Sequence, residues 1–164
     1  MGKTVIKFAL GSTELNRAVR EVDRYKAEFK KKWQSLMTAL TEDGAEIAKA
    51  KVVQLDAVMF GDLVASIEGF YDPSSGIGII RAGAPHAVFV EYGTGVVGAG
   101  DSHPEPTPGW RYDSNNHGEA GWWYWGDWDS NWHWTKGMPS RPFMFDTKIE
   151  LPALVAKLQK EVFS

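Results

Sequence analysis

GAPHAVFVEYGTG, residues 83–95, is the stretch on which the fold turns: a short apolar run closed by a carboxylate, an aromatic and a Gly-Thr-Gly turn. Pro85 opens a helical turn at no cost, because the N–H it lacks would be unpaired there. Gly93 and Gly95 provide the backbone freedom that stops the turn. The spacing predicts a helix of about two turns, anchored on a core by Ala87, Val88, Phe89 and Val90. Glu91 then falls at the helix C-terminus, where the macrodipole disfavours an anion. It is read either as a surface glutamate solvated by water or as half of a salt bridge, within the subunit or to a neighbour.

Around this stretch, the 164 residues, about a quarter of them charged, are enough for one domain with a real core, spanning 1–164. The chain has no cysteine, which excludes disulfides and thiolate metal sites and is compatible with a reducing cytoplasm. The first ten residues read as too short and too charged for a secretory signal, and no apolar run approaches the ~20 residues of a membrane span. A soluble chain made in the cytoplasm is expected. The net charge of −3 is unevenly spread: residues 1–60 carry more Lys and Arg than Asp and Glu, whereas in 61–135 Arg81 and Arg111 stand alone among many acids. That middle segment has the wrong sign for a duplex-binding surface. The basic run Lys30-Lys31-Lys32 is read as a solvated helix face.

Residues 3–10 alternate, with Ile6, Phe8 and Leu10 on one side, and predict a strand. Ser12 or Thr13 is placed to cap a long amphipathic helix carrying Leu15, Val19, Val22, Phe29, Trp33, Leu36 and Leu40, with a break or kink expected at Thr41–Gly44 and helical patterning again over 45–55. Residues 63–70 and 77–82 suit two strands joined by Asp72-Pro-Ser-Ser-Gly76, an antiparallel hairpin. An insertion follows over 96–137. Its first part, GAGDSHPEPTPGW (98–110), is rich in Gly and Pro and reads as loop. In its second part Trp122, Trp123, Tyr124 and Trp125 face Trp132, Trp134 and Thr135 across a polar turn, which predicts a second hairpin held by cross-strand aromatic pairs. From Arg141 the pattern is helical to the C-terminus, with Pro152 marking a start or a bend. The fold class expected is α+β: a long N-terminal helix and a C-terminal helix packed on a small, mostly antiparallel sheet of three or four strands, with a Trp-rich inserted hairpin.

Catalytic chemistry finds little support. No two of His86, His103, His117 and His133 stand at a spacing that brings metal ligands together locally, so no metal site is expected. A hydrolase built on Glu91 with Asp101 or Asp113 would need the carboxylates about 5–9.5 Å apart, and nothing local enforces that. There is no nucleophile elbow, and Gly76-Ile-Gly78 is too short to cradle a phosphate. No cofactor is expected. The tryptophans between Trp110 and Trp134 form either a sugar-binding platform or a buried structural device; exposed rings would first imply a protein interface.

Three segments, AKVVQLDAVMFGDLVASI (50–67), HAVFVEYGT (86–94) and RPFMFDT (141–147), are similar in order and character to motifs of the tail-component, or neck and tail-completion, proteins of long-tailed phages, the gene-product-ten-like family. The resemblance spans most of the chain and is most specific in the second segment. It implies a non-catalytic α+β virion protein of the neck, joining or completing the tail at the head-tail connector as a ring subunit, six by analogy, around the DNA channel. The partners implied are further copies of the chain, head-completion proteins and tail-tube or terminator proteins, with DNA passing unread and no membrane involved. Assembly contacts are expected at Glu91, Tyr92, Gly93, Arg141, Pro142 and Phe143, and at Trp122, Trp123, Trp125, Trp132 and Trp134. Glu91 and Arg141 are expected to pair or to face one interface. The acids of 61–135 suit a channel lining that does not grip phosphates. A carbohydrate-binding module and a small hydrolase are the alternatives.

Overall fold

The computed structural model describes residues 11–57, 61–105 and 108–164. The strand expected over 3–10 lies outside them. The chain is α+β, with helices α1 (Ser12–Gln54), α2 (Asp62–Ala65), α3 (Ala87–Tyr92), α4 (Gly95–Gly100) and α5 (Phe143–Phe163), and strands β1 (Ile67–Asp72), β2 (Ile77–Ala82), β3 (Trp122–Gly126), β4 (Asn131–Thr135) and β5 (Gly137–Met138).

Forty-three residues make α1 roughly 65 Å long. Gly11 is its N-cap and Ser12 already lies in the first turn, without a side-chain capping bond. The break expected at Thr41–Gly44 does not occur. Gly44 is used for close approach instead: a Cβ there would overlap the Ile80 side chain and press on Leu151, while a Cβ on Gly69 of β1 would overlap the Thr41 carbonyl. The helix backbone therefore lies directly on the strands, and the burial gained outweighs the roughly 1 kcal/mol helix penalty of a glycine.

β1 and β2 form an antiparallel pair in register from Ile67↔Ala82 to Asp72↔Ile77. The strand expected from residue 63 begins at Ile67, because Leu63 enters the core from the helical turn α2, which follows Gly61 at φ +82°. Among the described residues there are two separate two-stranded ladders, β1–β2 and β3–β4, in place of one sheet of three or four strands. α1 covers the first ladder, and α5 packs antiparallel along α1, as Phe29 meets Phe163 at one end and Lys51 pairs with Glu150 near the other. α5 runs through Pro152. One core joins Ala45, Ala48 and Val52 to Leu63, Ile67, Ala87, Val90 and Phe143; a second joins Leu36 to Leu154 and Leu158.

The β1–β2 turn is held by Asp72, whose carboxylate accepts from the Ser74 N–H (2.8 Å) and from the Ser74 and Ser75 hydroxyls (2.7 Å each). The Ser74 hydroxyl first, then the Ser75 hydroxyl and the Ser74 N–H, lower its pKa to about 2. A folded pKa below the unfolded one means that this contribution to stability is present above the ordinary carboxylate range and is lost as pH falls through about 2. An NMR pH titration is expected to find Asp72 still ionised well below the ordinary carboxylate range, and Ser74→Ala is expected to move its midpoint upward.

Candidate functional site

In α3, Ala87 and Val90 enter the core as expected, while Val88 and Phe89 point outward, Phe89 against Trp110 at 5.9 Å between ring centres. A helix of six residues has one inward stripe, and that stripe carries Glu91 as well, 7% exposed. Its partner is the start of α5. The N-cap position of α5 is Pro142, which has no side-chain oxygen to offer, and Glu91 supplies the missing acceptor: Met144 N–H donates to Oε2 (2.9 Å) and Phe145 N–H to Oε1 (3.0 Å). These are the second and third residues of the helix, the N–H groups a capping side chain ordinarily satisfies. The anion disfavoured at the end of α3 is thus stabilised by the positive end of α5. The solvated reading of Glu91 is ruled out.

His103, from the insertion, completes the cluster with Nε2 3.1 Å from Glu91 Oε1. Its ring packs between Tyr92 (4.6 Å) and Phe145 (5.3 Å, edge-on). Nδ1 lies 2.8 Å from the Glu105 carbonyl and 3.1 Å from the Glu105 N–H. With Nε2 donating to Glu91, a neutral ring accepts from that N–H and a protonated ring donates to that carbonyl, so Nδ1 serves one of the two Glu105 groups in each state.

The expected ion pair between Glu91 and Arg141 is not formed. Arg141 donates from Nε to the Leu55 carbonyl (3.1 Å), at the negative C-terminal end of α1, and its own N–H donates to Val90 O (2.8 Å). The two charged residues therefore tie different helix ends to the same junction. Phe143 is 1% exposed in the core, and Glu91 and Gly93 are buried too, so none of these three presents a surface to a neighbour. Tyr92, Arg141 and Pro142 are half-buried.

The two ends of the insertion run side by side through the bridges Thr94↔Met138 and Gly95↔Gly137. Gly137, at φ +103°, would drive a Cβ into the Thr94 carbonyl, and Ser140 Oγ donates to Glu91 O. The part read as loop starts helically, since α4 takes in residues 95–100; Gly98, at its centre, lies too close to Gly93 and the Met138 carbonyl for a side chain. Farther on, Asp113 accepts from the Gly118 N–H (2.7 Å) and the His117 N–H (3.0 Å), which hold its carboxyl below the usual range, and the His117 ring stacks on half-buried Trp122 at 4.6 Å.

The hairpin forms in the register Trp122↔Thr135, Trp123↔Trp134, Tyr124↔His133, Trp125↔Trp132, Gly126↔Asn131. Strand alternation puts Trp123, Trp125, Trp132 and Trp134 on one face, and they are 64%, 46%, 58% and 48% exposed. Trp125 and Trp132 meet edge to face, 5.6 Å apart at 73°. On the other face Trp128 and Tyr124 pack around His133, whose Nε2 lies 3.0 Å from Asp129 Oδ2. A double-mutant cycle on Trp125 and Trp132, read by urea unfolding, is expected to give a coupling of about 0.5–1.5 kcal/mol; additive losses would mean that the rings do not hold the register.

Reading the sequence by histidine spacing alone missed the pairs Asp113–His117 and Asp129–His133, whose i, i+4 spacing was the available signal. It also missed His103 as the partner of Glu91, for which no local signal exists. Among the described residues no three His, Asp or Glu gather as a metal site requires, and no helix is long and apolar enough to cross a membrane. Comparison of the chain with family models, with curated proteins and with solved structures finds no match.

Proposed function

We propose that this chain is a non-catalytic structural subunit of a phage virion, a ring component of the neck that joins or completes the tail at the head-tail connector. The observation that carries the reading is the open face of four tryptophans. On the order of half the area of rings that offer ~150–250 Å² each amounts to roughly 400 Å² of aromatic surface on one face, the size of the largest patch on a typical monomer, which is often functional. The three segments that resemble motifs of tail-completion proteins supply the context. The acids of the middle segment suit a hydrated lining past which DNA slides unread. The partners are further copies of the chain, in a ring of six by analogy, and the head-completion and tail-tube or terminator proteins on either side. The chain is made in the host cytoplasm and resides in the virion.

The exposed indoles also favour a second reading, a carbohydrate-binding module. Against it, the 73° angle between Trp125 and Trp132 breaks up the flat surface on which pyranose faces would stack. A small hydrolase is the third reading; Glu91, its first candidate acid, already holds two backbone N–H groups. Mass spectrometry of purified virions and tails is expected to find the chain in stoichiometric amounts, with no response on a glycan array or a hydrolase panel. Absence from particles together with a glycan or hydrolase signal would overturn the proposal.

A further inference from the structure

At the far end of the helix pair from the insertion, α1 and α5 flank an apolar groove of about 710 Å³, lined by Phe29, Trp33 and Leu36 on one side and Ala156, Gln159 and Phe163 on the other. Phe29 and Trp33 are each about two-fifths exposed, so the groove is open among the described residues. Its surroundings are basic. Lys160 lines it, Lys32 places Nζ 5.7 Å from the centre of the Phe163 ring, and exposed Lys26 and Lys30 stand one turn before Phe29 and Trp33. The nearby acids Glu28 and Glu161 lie 3.9 Å from Arg24 and Lys157.

The tryptophan hairpin is the counterpart in both respects. It offers four open indoles, its turn carries Asp127 and Asp129, and its one adjacent cation, Lys136, lies at the root, over the Trp134 ring at 5.9 Å and 3.5 Å from Glu119. Its root, Gly137 to Ser140, leads straight into the first turn of α5, whereas the groove is at the last turns of the same helix, roughly 20–30 Å away at 1.5 Å per residue. A contact between hairpin and groove therefore joins two copies head to tail, the arrangement that generates rings.

We propose that the tryptophan hairpin of one copy seats in the α1–α5 groove of the next; the inference rests on the assembly reading above and names its lateral contact. Charge selects this partner over the symmetrical one. Two hairpins packed tryptophan to tryptophan in parallel would bring Asp127 and Asp129 of both copies together, and in antiparallel would set each turn against the single Lys136 of the other root, whereas the groove meets the turn with several lysines. Area sets the strength. An aromatic patch of roughly 400 Å² is about half of what one partner contributes to a standard interface, so each contact is weak alone and is reinforced when the ring closes.

The chain has no cysteine, so engineered thiols report the contact cleanly. Ser130→Cys at the hairpin turn, Gln159→Cys in the groove and Ser75→Cys in the remote β1–β2 turn are purified separately, mixed in pairs at high concentration and oxidised gently. The mixed disulfide between Ser130→Cys and Gln159→Cys is expected to form roughly tenfold faster than that between Ser130→Cys and Ser75→Cys. Adding Asp127→Lys and Asp129→Lys to the hairpin partner is expected to erase the preference. Equal rates in all mixtures, or fastest pairing of Ser130→Cys with itself, would overturn the proposal. Cross-linking reads the purified chain and mass spectrometry reads the particle, so the seat and the neck assignment fail separately.

Discussion

Glu91→Ala is expected to lower folding stability by about 3–5 kcal/mol, because it strips the partner from the Met144 and Phe145 N–H groups and from buried His103 in one step. The α5 N-terminus has no substitute acceptor in Pro142. Glu91→Gln keeps the shape and one acceptor oxygen but turns an NH₂ toward one of the donors and removes the charge, so a smaller loss of about 1–3 kcal/mol is expected. Arg141→Ala, which withdraws a single donor from the Leu55 carbonyl, is expected to cost about 1 kcal/mol. Urea unfolding orders the three: with a slope of about 1–3 kcal/mol/M, the Ala variant of Glu91 should unfold more than about 1 M earlier than the parent. An Ala variant within 1 kcal/mol of the parent would show that water satisfies the helix end and that Glu91 does not join α3 to α5.

The second large effect is expected at Gly69. A Cβ on this strand residue would overlap the Thr41 carbonyl of α1, a backbone atom that cannot rotate away. Gly69→Ala must lift the helix from the strands along their contact, and a loss of about 3 kcal/mol or more is expected, at or beyond the top of the usual overpacking range. Gly44→Ala, on the opposing helix, meets the end of the Ile80 side chain, which can change rotamer, and gains about 1 kcal/mol of helix propensity. It is expected to cost less than half as much. Thermal unfolding of both variants checks the order. Equal losses would mean that the helix and strands adjust as a unit, and a stabilised Gly69→Ala would refute the direct backbone contact.

These glycines also show where local reading stops. A glycine in a helical pattern is compatible with a break and with close packing, and a propensity difference of about 1 kcal/mol decides neither against the burial available to a whole helix face. Thr41–Gly44 therefore read as a break in isolation and became a contact once β1 and β2 lay beneath it. Likewise residues 98–100 read as the start of a loop, and became the second half of α4 where Gly98 fits between Gly93 and the Met138 carbonyl.

What the residues determined by themselves is what their neighbours within a few positions can enforce. The stripes of α1 and α5, the turn closed by Asp72 and Gly76, the α3 helix bounded by Pro85 and Gly93, and the pairing of tryptophans across the 127–130 turn all follow from periods of 3.6 and 2 and from turn chemistry. The need of Glu91 for a partner was legible too, since its position on the helix dipole is a local property. Only the tertiary structure decided who that partner is. Met144 and Phe145 lie more than fifty residues beyond Glu91, and Leu55 lies still farther from Arg141. A carboxylate or a guanidinium pairs with any complementary group at hydrogen-bond distance, so its own sequence neighbourhood cannot choose among them; the choice is made when the packing of Val90 and Phe143 brings one helix end, and no other, within reach.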